Sequence, residues 1–507
     1  MAGAGRQAPP AWKKTVQPHR RPVAAGPGVL GAALVAGVLA ALLSGAGLGV
    51  NVLIVALAAA AAAAAAARSA GRHIKSWTAV WAGSALLLLT VPALRDAGWP
   101  TALALVASLA LGSLALHGGR RWPGVLMGLL GVVLALAPGA LWGWQGLRSR
   151  TVPARERWWP VLRATGVALA LLLVFGALFA GADAAFADLL GDVVPEVSVA
   201  GAPLRAVFFC WGVLLALAAA WVAGAPRRWD RLPVAPGRPR GRLEWAVPLV
   251  GLNALFAVFI GVQLAVLFGG YDRVLRSTGL TYAEYARQGF WQLLVVTLLS
   301  LVVVGVALRW APRSLPRDGL LVRGLLGALC ALTLVVVASA LRRVQLYVDA
   351  YGLTQLRVWV AGVELWLGLV LLLLMAAGVR RAGRWLPRAV VLSAALGVLL
   401  YGMLSPDALV AQQNVARFEH TGKIDLHYVQ LLSADAVPAL DRLPEPQRSC
   451  VLRDIEEQLG PDSPPWYATS LSEARARQVL RSHPLASPAD ACMRAGLGWG
   501  GGAYFSR

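Results

Sequence analysis

The chain has 507 residues, of which 58% are hydrophobic and only 14% carry a charge. A soluble globular protein carries a charge on nearer a quarter of its residues, so the composition excludes that class. The net charge of +22 comes almost wholly from arginine, and the arginines lie in short gaps between apolar stretches. This placement favours contact with anionic lipid headgroups over binding of nucleic acid, which we do not expect as a partner.

The chain opens with a basic segment, residues 1–27, which we expect to precede an uncleaved first helix rather than to act as a signal peptide. Beyond it, twelve apolar stretches approach the roughly 20 residues that a membrane-spanning helix needs. They cover residues 28–46, 48–67, 77–94, 101–117, 123–141, 161–181, 204–224, 246–268, 288–308, 320–340, 358–378 and 388–404.

Residues 405–507 contain no further apolar stretch, and they carry aspartate, glutamate, proline and histidine. They predict a soluble, mostly helical tail. The fold class predicted is therefore all-α: a polytopic transmembrane bundle of about eleven or twelve helices over residues 28–404, followed by a small helical tail. The bias towards arginine, alanine, glycine and proline indicates a GC-rich bacterial genome, and hence a bacterial plasma membrane.

The arginine-rich gaps at 142–160, 225–245, 308–319 and 379–388 lie on one side by alternation. Arginine-rich gaps are typical of the cytoplasmic side, which places the tail on the extracytoplasmic side. A cytoplasmic N-terminus then requires an odd number of crossings. We expect eleven, with one re-entrant stretch in the first half: either the alanine-rich stretch 48–67 or the short stretch 101–117.

Several polar side chains lie within predicted spans or near their outer ends, where a charge at membrane depth is costly without a partner. The candidate cluster comprises Asp183, Asn253, Gln263, Glu284, Arg287, Arg343, Asp349, Arg357 and Glu364. Such residues could bind an ion, a proton or a small ligand. They could also be structural. The acids could lie at the interface in water, Thr281 with Glu284 could cap a helix beside an aromatic belt, and the amides could bond to neighbouring helices. An arginine and a glutamate could form an ion pair that ties helices together.

Two cysteines in the tail, Cys450 and Cys492, could form a disulfide if the tail is extracytoplasmic, or remain free thiols in a cytoplasmic tail. His420, Asp425 and His427 match no standard metal-site spacing, so we expect no metal and no cofactor. The chain has no phosphate-binding glycine loop ending in Lys-Ser/Thr, no nucleophile elbow, no HExxH and no CxxC, which makes an ATP-driven pump or a familiar membrane hydrolase a poor interpretation.

Several longer segments resemble a known bacterial membrane family. These are residues 182–186, 268–290, 346–357, 414–440 and 466–480. Over roughly residues 30–480 the chain resembles the family called domain of unknown function 4173, which is related to domain of unknown function 4153. The resemblance implies a polytopic membrane protein, and it brings no activity and no catalytic residues.

Three functional hypotheses follow. The first is a binding, transport or envelope-associated role, in which the tail caps a polar site on the extracytoplasmic face. The second is a membrane enzyme that acts on a lipid-linked substrate, with Glu284 or Asp349 as base. The third is a signalling or scaffold protein whose tail docks a protein partner. The lipid bilayer is the one partner that all three require.

Overall fold

The computed structural model describes residues 15–16, 24–73, 75–149, 201–232, 241–269, 290–310, 316–380, 383–486 and 488–495. These residues form helices and no strands, which confirms the predicted all-α class. The helices of the membrane part are α1 Pro27–Leu43, α2 Val50–Ser69, α3 Ser76–Leu88, α4 Val91–Leu94, α5 Gly98–His117, α6 Trp122–Leu129, α7 Val133–Ser149, α8 Ala202–Gly224, α9 Arg242–Gly269, α10 Phe290–Trp310, α11 Pro316–Tyr351, α12 Gln355–Val379 and α13 Leu386–Leu404.

Within the described ranges, nine segments are long and apolar enough to cross a membrane, or ten if the bent pair α6–α7 counts as one span. The protein is therefore a multi-pass membrane protein. Helix α1 is apolar but shorter, with 17 residues. Eleven of the twelve predicted stretches coincide with these elements, while the stretch at 161–181 lies outside the described residues.

The loops of the bundle gather at two opposite faces. One, the tail face, carries the loops at 44–49, 89–97 and 352–354, which contact the C-terminal tail. Asn51 N–H donates to Tyr467 O at 2.9 Å, and the Ser472 hydroxyl donates to Leu94 O at 3.1 Å. Because the helices run from face to face, the loops that alternate with these lie on the other side.

The opposite face, the arginine face, carries the loops at 70–73, 118–121, 225–232 and 383–385. Arg388 Nε donates to Gly119 O at 3.0 Å, and Arg228 N–H donates to Val16 O at 3.0 Å. The second contact brings Val16 to this face. Val16 and the tail therefore lie on opposite faces, as an odd number of crossings between them requires.

The pair α6–α7 does not run straight across the bundle, because its second helix is bent by 65° away from the direction of the first. It begins beside the 118–121 loop, and near its other end Gly146 packs against Ala25, directly before α1. Between those points Ala135 lies in a buried cluster with Val222, close to the arginine-face end of α8. Both ends of the pair thus have contacts at the arginine face, which favours a re-entrant segment over a broken span. We call this segment the re-entrant hairpin.

A serine from the neighbouring helix stabilises the break in this hairpin. Ser113 Oγ donates to Gly128 O at 2.5 Å and accepts from Val132 N–H at 2.9 Å. In a continuous helix those two backbone groups would bond to each other, so the hydroxyl is inserted into the helical ladder. Both groups keep a partner in a region where water is scarce.

The sequence predicts a re-entrant stretch at 48–67 or at 101–117, whereas the bent pair in the structure lies at 122–149. The stretches 48–67 and 101–117 form the 20-residue helices α2 and α5, each of which is long enough to cross. Alanine is a strong helix former, so a weakly apolar run still gives a straight span. The break instead falls where Gly128 and Gly131 face α5.

The tail folds into α14 Pro406–Thr421, α15 Leu426–Gln430, α16 Val437–Leu440, α17 Gln447–Leu459, α18 Leu471–Ser482 and α19 Pro488–Arg494. Helix α18 begins with a capping box, in which Ser470 and Glu473 bond each other's backbone N–H. A buried core that includes Val415, Leu440 and Ile455 holds the tail together. A disulfide joins Cys450 to Cys492, between α17 and α19.

Candidate functional site

The tail docks on the bundle at the turn between α11 and α12. Asn414 binds both backbone polar groups of Leu353: its Nδ2 donates to Leu353 O at 2.9 Å, and its Oδ1 accepts from Leu353 N–H at 3.3 Å. Gly352 has a φ of +84°, and a Cβ there would collide with Asn414 Oδ1. The turn therefore requires glycine for its conformation and for the close approach of the asparagine.

A second set of hydrogen bonds fixes the start of α12 against the tail. Gln355 N–H donates to the Tyr428 hydroxyl at 2.7 Å, and Gln355 Nε2 donates to the carboxylate of Asp407. The other oxygen of Asp407 accepts from Ser433 N–H at 3.0 Å. Asp407 is buried, so these donors compensate for its loss of water. Polar contacts, rather than apolar ones alone, therefore hold this part of the tail in place.

The loop between α4 and α5 forms the second contact with the tail. Asp96 Oδ2 accepts from Ala434 N–H at 3.2 Å. Arg95 lies 3.8 Å from the buried carboxylate of Asp435, which also accepts from the Ser405 hydroxyl at 2.7 Å. Arg95 and Asp96, which belong to one short membrane loop, thus both contact the same stretch of the tail.

Burial sets the proton affinity of these carboxylates. Desolvation, followed by the negative charge of Glu473, raises the pKa of Asp96 to about 6, although the bond from Ala434 N–H opposes the shift. Desolvation also raises the pKa of Asp435, against the opposing effect of hydroxyl donors and Arg95. The tail face therefore contains carboxyl groups that bind protons more readily than free aspartate does.

A cleft of about 600 Å³ opens where this loop meets the tail. Its polar lining consists of Asp96, Gln458, Asp462, Ser463, Glu473 and Arg477. Arg477 donates to Leu459 O and to Gly460 O at 2.9 Å, so its guanidinium caps the end of α17. Three carboxylates against one arginine give the cleft a net negative lining. The described residues contain no group of three His, Cys, Asp or Glu side chains able to hold a metal ion.

Three aromatic rings lie below the docking site, at the membrane edge. The Trp99 and Trp359 centroids are 4.4 Å apart, and Tyr401 lies 5.6 Å and 5.5 Å from them. The rings come from three different helices, α5, α12 and α13. Amphipathic rings are common at this depth, and here they brace the helix ends that the tail contacts.

The predicted site residues do not all meet at the cleft. Asp183, Glu284 and Arg287 lie outside the described residues. The other six are absent from the cleft lining. Asp349 is exposed and Arg343 half-buried near the end of α11, a helix of 36 residues. At about 1.5 Å per residue, α11 is longer than the roughly 30 Å hydrocarbon core, so its end projects towards the tail.

The two predicted amides have structural partners inside the bundle. Asn253 Nδ2 donates to Leu249 O at 2.7 Å and to Leu325 O on α11 at 3.2 Å. Gln263 Oε1 accepts from the Ser339 hydroxyl, also on α11, at 3.2 Å. Both amides thus bond to a neighbouring helix, as expected for polar side chains inside a span.

Arg357 and Glu364 lie on the same helix but have different contacts. The Arg357 guanidinium donates to Gly352 O, and its carbon lies 4.1 Å from the ring centroid of Tyr347. Glu364 is fully buried, and neither carboxylate oxygen meets a donor among the described residues. Arg357 therefore stabilises the turn that docks the tail, and the described contacts do not include an ion pair between the two.

Sequence reasoning missed Arg95, Asp96, Asp407 and Asp435, although two local signals were available. Arg95 and Asp96 are adjacent charges in a very short gap between two spans. Ser405-Pro406-Asp407 is a helix-start pattern, and the Ser405 hydroxyl indeed accepts from Ala408 N–H at 3.4 Å. Nothing local to Asp435 could have indicated its burial, because that depends on the docked membrane loop.

A comparison of protein families gives one assignment. Residues 82–443 match the family described as Domain of unknown function (DUF4153). The match covers well over half of the chain, and the protein belongs to this family. The family carries no assigned activity in its description. No curated protein sequence matches the chain, and no solved structure does.

Proposed function

We propose that the protein is a membrane-embedded binding protein whose tail caps the outer face of the bundle and forms a ligand cleft with it. The cleft between the Arg95–Asp96 loop and the tail carries this proposal, because it is the place where the two parts jointly enclose polar space. We also propose that the chain belongs with domain of unknown function 4173, which is a finer assignment than the family that residues 82–443 match.

The lining favours a small ligand with a cationic group, such as an amine. Asp96, Asp462 and Glu473 supply negative charge, and the single cation, Arg477, is held by backbone carbonyls. Glu473 remains bound to Thr469 Oγ1 at 2.7 Å as part of the helix cap. Asp96, which has one backbone donor, is the carboxylate best placed to accept a ligand.

We further propose that the tail face is extracytoplasmic, in a bacterial plasma membrane. Two independent features support this orientation. The arginine loops lie on the opposite face, as is typical of the cytoplasmic side. The Cys450–Cys492 disulfide belongs to the tail, and disulfides persist in oxidising compartments.

The orientation can be tested with single cysteines in a Cys210→Ser background, because Cys210 is an exposed free thiol. Glu456→Cys reports on the tail, and Arg380→Cys reports on the arginine face; both positions are exposed. In intact cells a membrane-impermeant maleimide should label the first and spare the second. Labelling of position 380 with protection of position 456 would reverse the proposed orientation.

The binding role can be tested by thermal denaturation of the full chain in detergent, with putrescine as the cationic probe. Putrescine should raise the melting temperature of the wild type, and Asp96→Asn should abolish the increase. Glu456→Gln removes a carboxylate from the exposed side of the same tail and should behave like the wild type. If putrescine leaves the wild type unchanged, or if both variants lose the response, the cleft is not a cation site.

The hypotheses of a lipid-linked enzyme and of a signalling scaffold remain predictions. The two residues named for catalysis are an exposed Asp349 and a Glu284 outside the described residues. The tail surface that faces the bundle is already occupied by the membrane loops. A protein partner would therefore have to bind the outward side of the tail.

A further inference from the structure

A cavity of about 680 Å³ lies on the arginine face, away from the tail. The arginine-face ends of α2, α5 and α8 border it through Ala70, His117 and Gly224. The loop before the re-entrant hairpin closes one side of it. The cavity is therefore built at membrane level from three crossing helices and a segment that does not cross.

The cavity lining is strongly cationic. It contains Arg72, Arg227, Arg228 and Arg231, against the single carboxylate of Asp230. Within the described ranges none of these four arginines forms a salt bridge. Several guanidinium groups thus share one concave space without a carboxylate partner, and their combined positive charge attracts anions.

The one carboxylate of the lining, that of Asp230, already accepts hydrogen bonds from backbone N–H groups. Asp230 Oδ1 accepts from Arg120 N–H at 3.0 Å and from Arg121 N–H at 2.9 Å, at the start of α6. Gly124 is required beside it, because a Cβ there would collide with Asp230 Oδ1. Asp230 therefore caps the first helix of the hairpin in place of an external anion, and its single negative charge leaves the four arginines in excess.

The four arginines of the lining differ in the contacts that their guanidinium groups make. Arg72 donates to Ala223 O and to Leu116 O at 3.3 Å, so it binds the ends of two crossing helices. Arg227 lies 5.7 Å from the Trp221 ring and 5.6 Å from the Trp229 ring. For Arg228 and Arg231, no described side chain accepts a hydrogen bond from the guanidinium. These two are free to bind a ligand.

We infer that this cavity is a binding site for a phosphate group, independent of the proposed cleft on the tail face. The guanidinium fork matches phosphate oxygens in a bidentate arrangement, and a few hundred cubic ångströms are enough for a headgroup. The cavity lies where the spans end, which is the depth of phospholipid phosphates. The phosphate could belong to an anionic lipid or to a soluble molecule, because the chemistry of recognition is the same.

The test uses the full chain in detergent with two probes: phosphatidylglycerol in mixed micelles and inorganic phosphate. The variant is Arg228→Gln with Arg231→Gln. The matched control is Arg309→Gln with Arg380→Gln, which removes two exposed arginines from the same face outside the cavity. Melting temperature against probe concentration gives an apparent affinity for each protein.

The cavity variant should bind its probe at least about tenfold more weakly, since it loses hydrogen bonds to a charged group, while the control should match the wild type. Binding of phosphatidylglycerol alone identifies a lipid headgroup, and competition by inorganic phosphate identifies a soluble phosphate. Equal losses in variant and control would mean general attraction to a basic face, and would overturn the proposal. So would a wild type that responds to neither probe. If the double variant does not fold, Arg231→Gln alone, at an exposed position, gives the same comparison.

Discussion

The two faces of the bundle differ in the partners that their charged side chains have. On the tail face, Asp96, Asp407 and Asp435 meet hydrogen-bond donors that the tail or its junction with the bundle supplies. On the arginine face, the guanidiniums of Arg228 and Arg231 meet no carboxylate among the described residues. The tail face is completed by the chain itself, whereas the arginine face has room for a partner from outside.

The difference has a consequence for stability. Contacts within the tail face connect distant parts of the chain, so breaking one should release the tail from the bundle. Contacts on the arginine face are largely to backbone carbonyls at helix ends, such as Leu116 O and Ala223 O. Losing a free arginine there should change ligand affinity more than folding.

The largest effect should come from Gly352→Val on the tail face. The residue has a positive φ, and a side chain would displace Asn414. Backbone strain plus the loss of two hydrogen bonds should weaken docking by about 4 kcal/mol. Limited proteolysis should then cleave the tail from the membrane part more readily, and hydrogen exchange in α14 should accelerate.

The matched control is Gly422→Val, because Gly422 also has a positive φ, of +67°, but no atom lies near its missing Cβ. It should lose only about 1–2 kcal/mol from strain, with the tail still docked. Equal proteolysis of the two variants would mean that the Asn414 contact does not hold the tail.

Protonation of Asp96 should strengthen docking at acidic pH. Its pKa is raised to about 6, above the ordinary value of 3.8 for aspartate, so the docked state binds its proton more tightly than the free state does. The stabilisation is fully present below about pH 4 and is lost as the pH rises through about 6, with a total of about 2–3 kcal/mol. The melting temperature of the wild type minus that of Asp96→Asn, followed over this range, isolates the effect from other groups.

In that difference profile, Asp96→Asn should melt higher than the wild type at pH 8 and close to it at pH 4, since asparagine can still accept from Ala434 N–H. A difference in melting temperature that does not change with pH would show that docking does not disfavour ionisation of Asp96. Glu456→Gln, at an exposed position, should give such a flat profile and serves as the reference.

Ser113→Ala should destabilise the re-entrant hairpin on the arginine side by about 2 kcal/mol, because Val132 N–H loses its partner and Gly128 O keeps only backbone donors such as Gly131 N–H at 3.3 Å. Ser108→Ala is the comparison. Ser108 is buried on the same helix, but it makes one bond, to Ala85 O at 2.9 Å, whose carbonyl stays within a helix. It should lose about half as much, and equal losses would argue against a special role for the inserted hydroxyl.

Much of this architecture follows from local patterns in the sequence. Apolar stretches of about 20 residues give helices, and Ser470 with Glu473 gives a capping box, because each depends on residues a few positions apart. The break after α6 could not be derived in this way. It depends on Ser113, which is close in space to Gly128 but belongs to another helix.

The site was harder to predict than the fold for the same reason. Polar residues inside spans suggest a functional site, yet Asn253 and Gln263 each form a hydrogen bond with α11. The buried aspartates of the tail face looked like ordinary residues of short loops and a soluble tail. Their burial is created by docking, and a contact such as Asp96 to Ala434 joins residues more than three hundred positions apart.

The smallest effect should come from Arg95→Gln, which tests whether ion pairing matters to the tail face. Arg95 is about one-third exposed and lies 3.8 Å from Asp435, a long distance for such a pair. Solvent screening should limit its contribution to less than about 1 kcal/mol, and added salt should remove most of that. The melting temperatures of Arg95→Gln and the wild type should therefore converge at high ionic strength. A loss comparable to that of Gly352→Val, insensitive to salt, would show instead that Asp435 depends on this arginine, and that both faces of the bundle rely on charge in the same way.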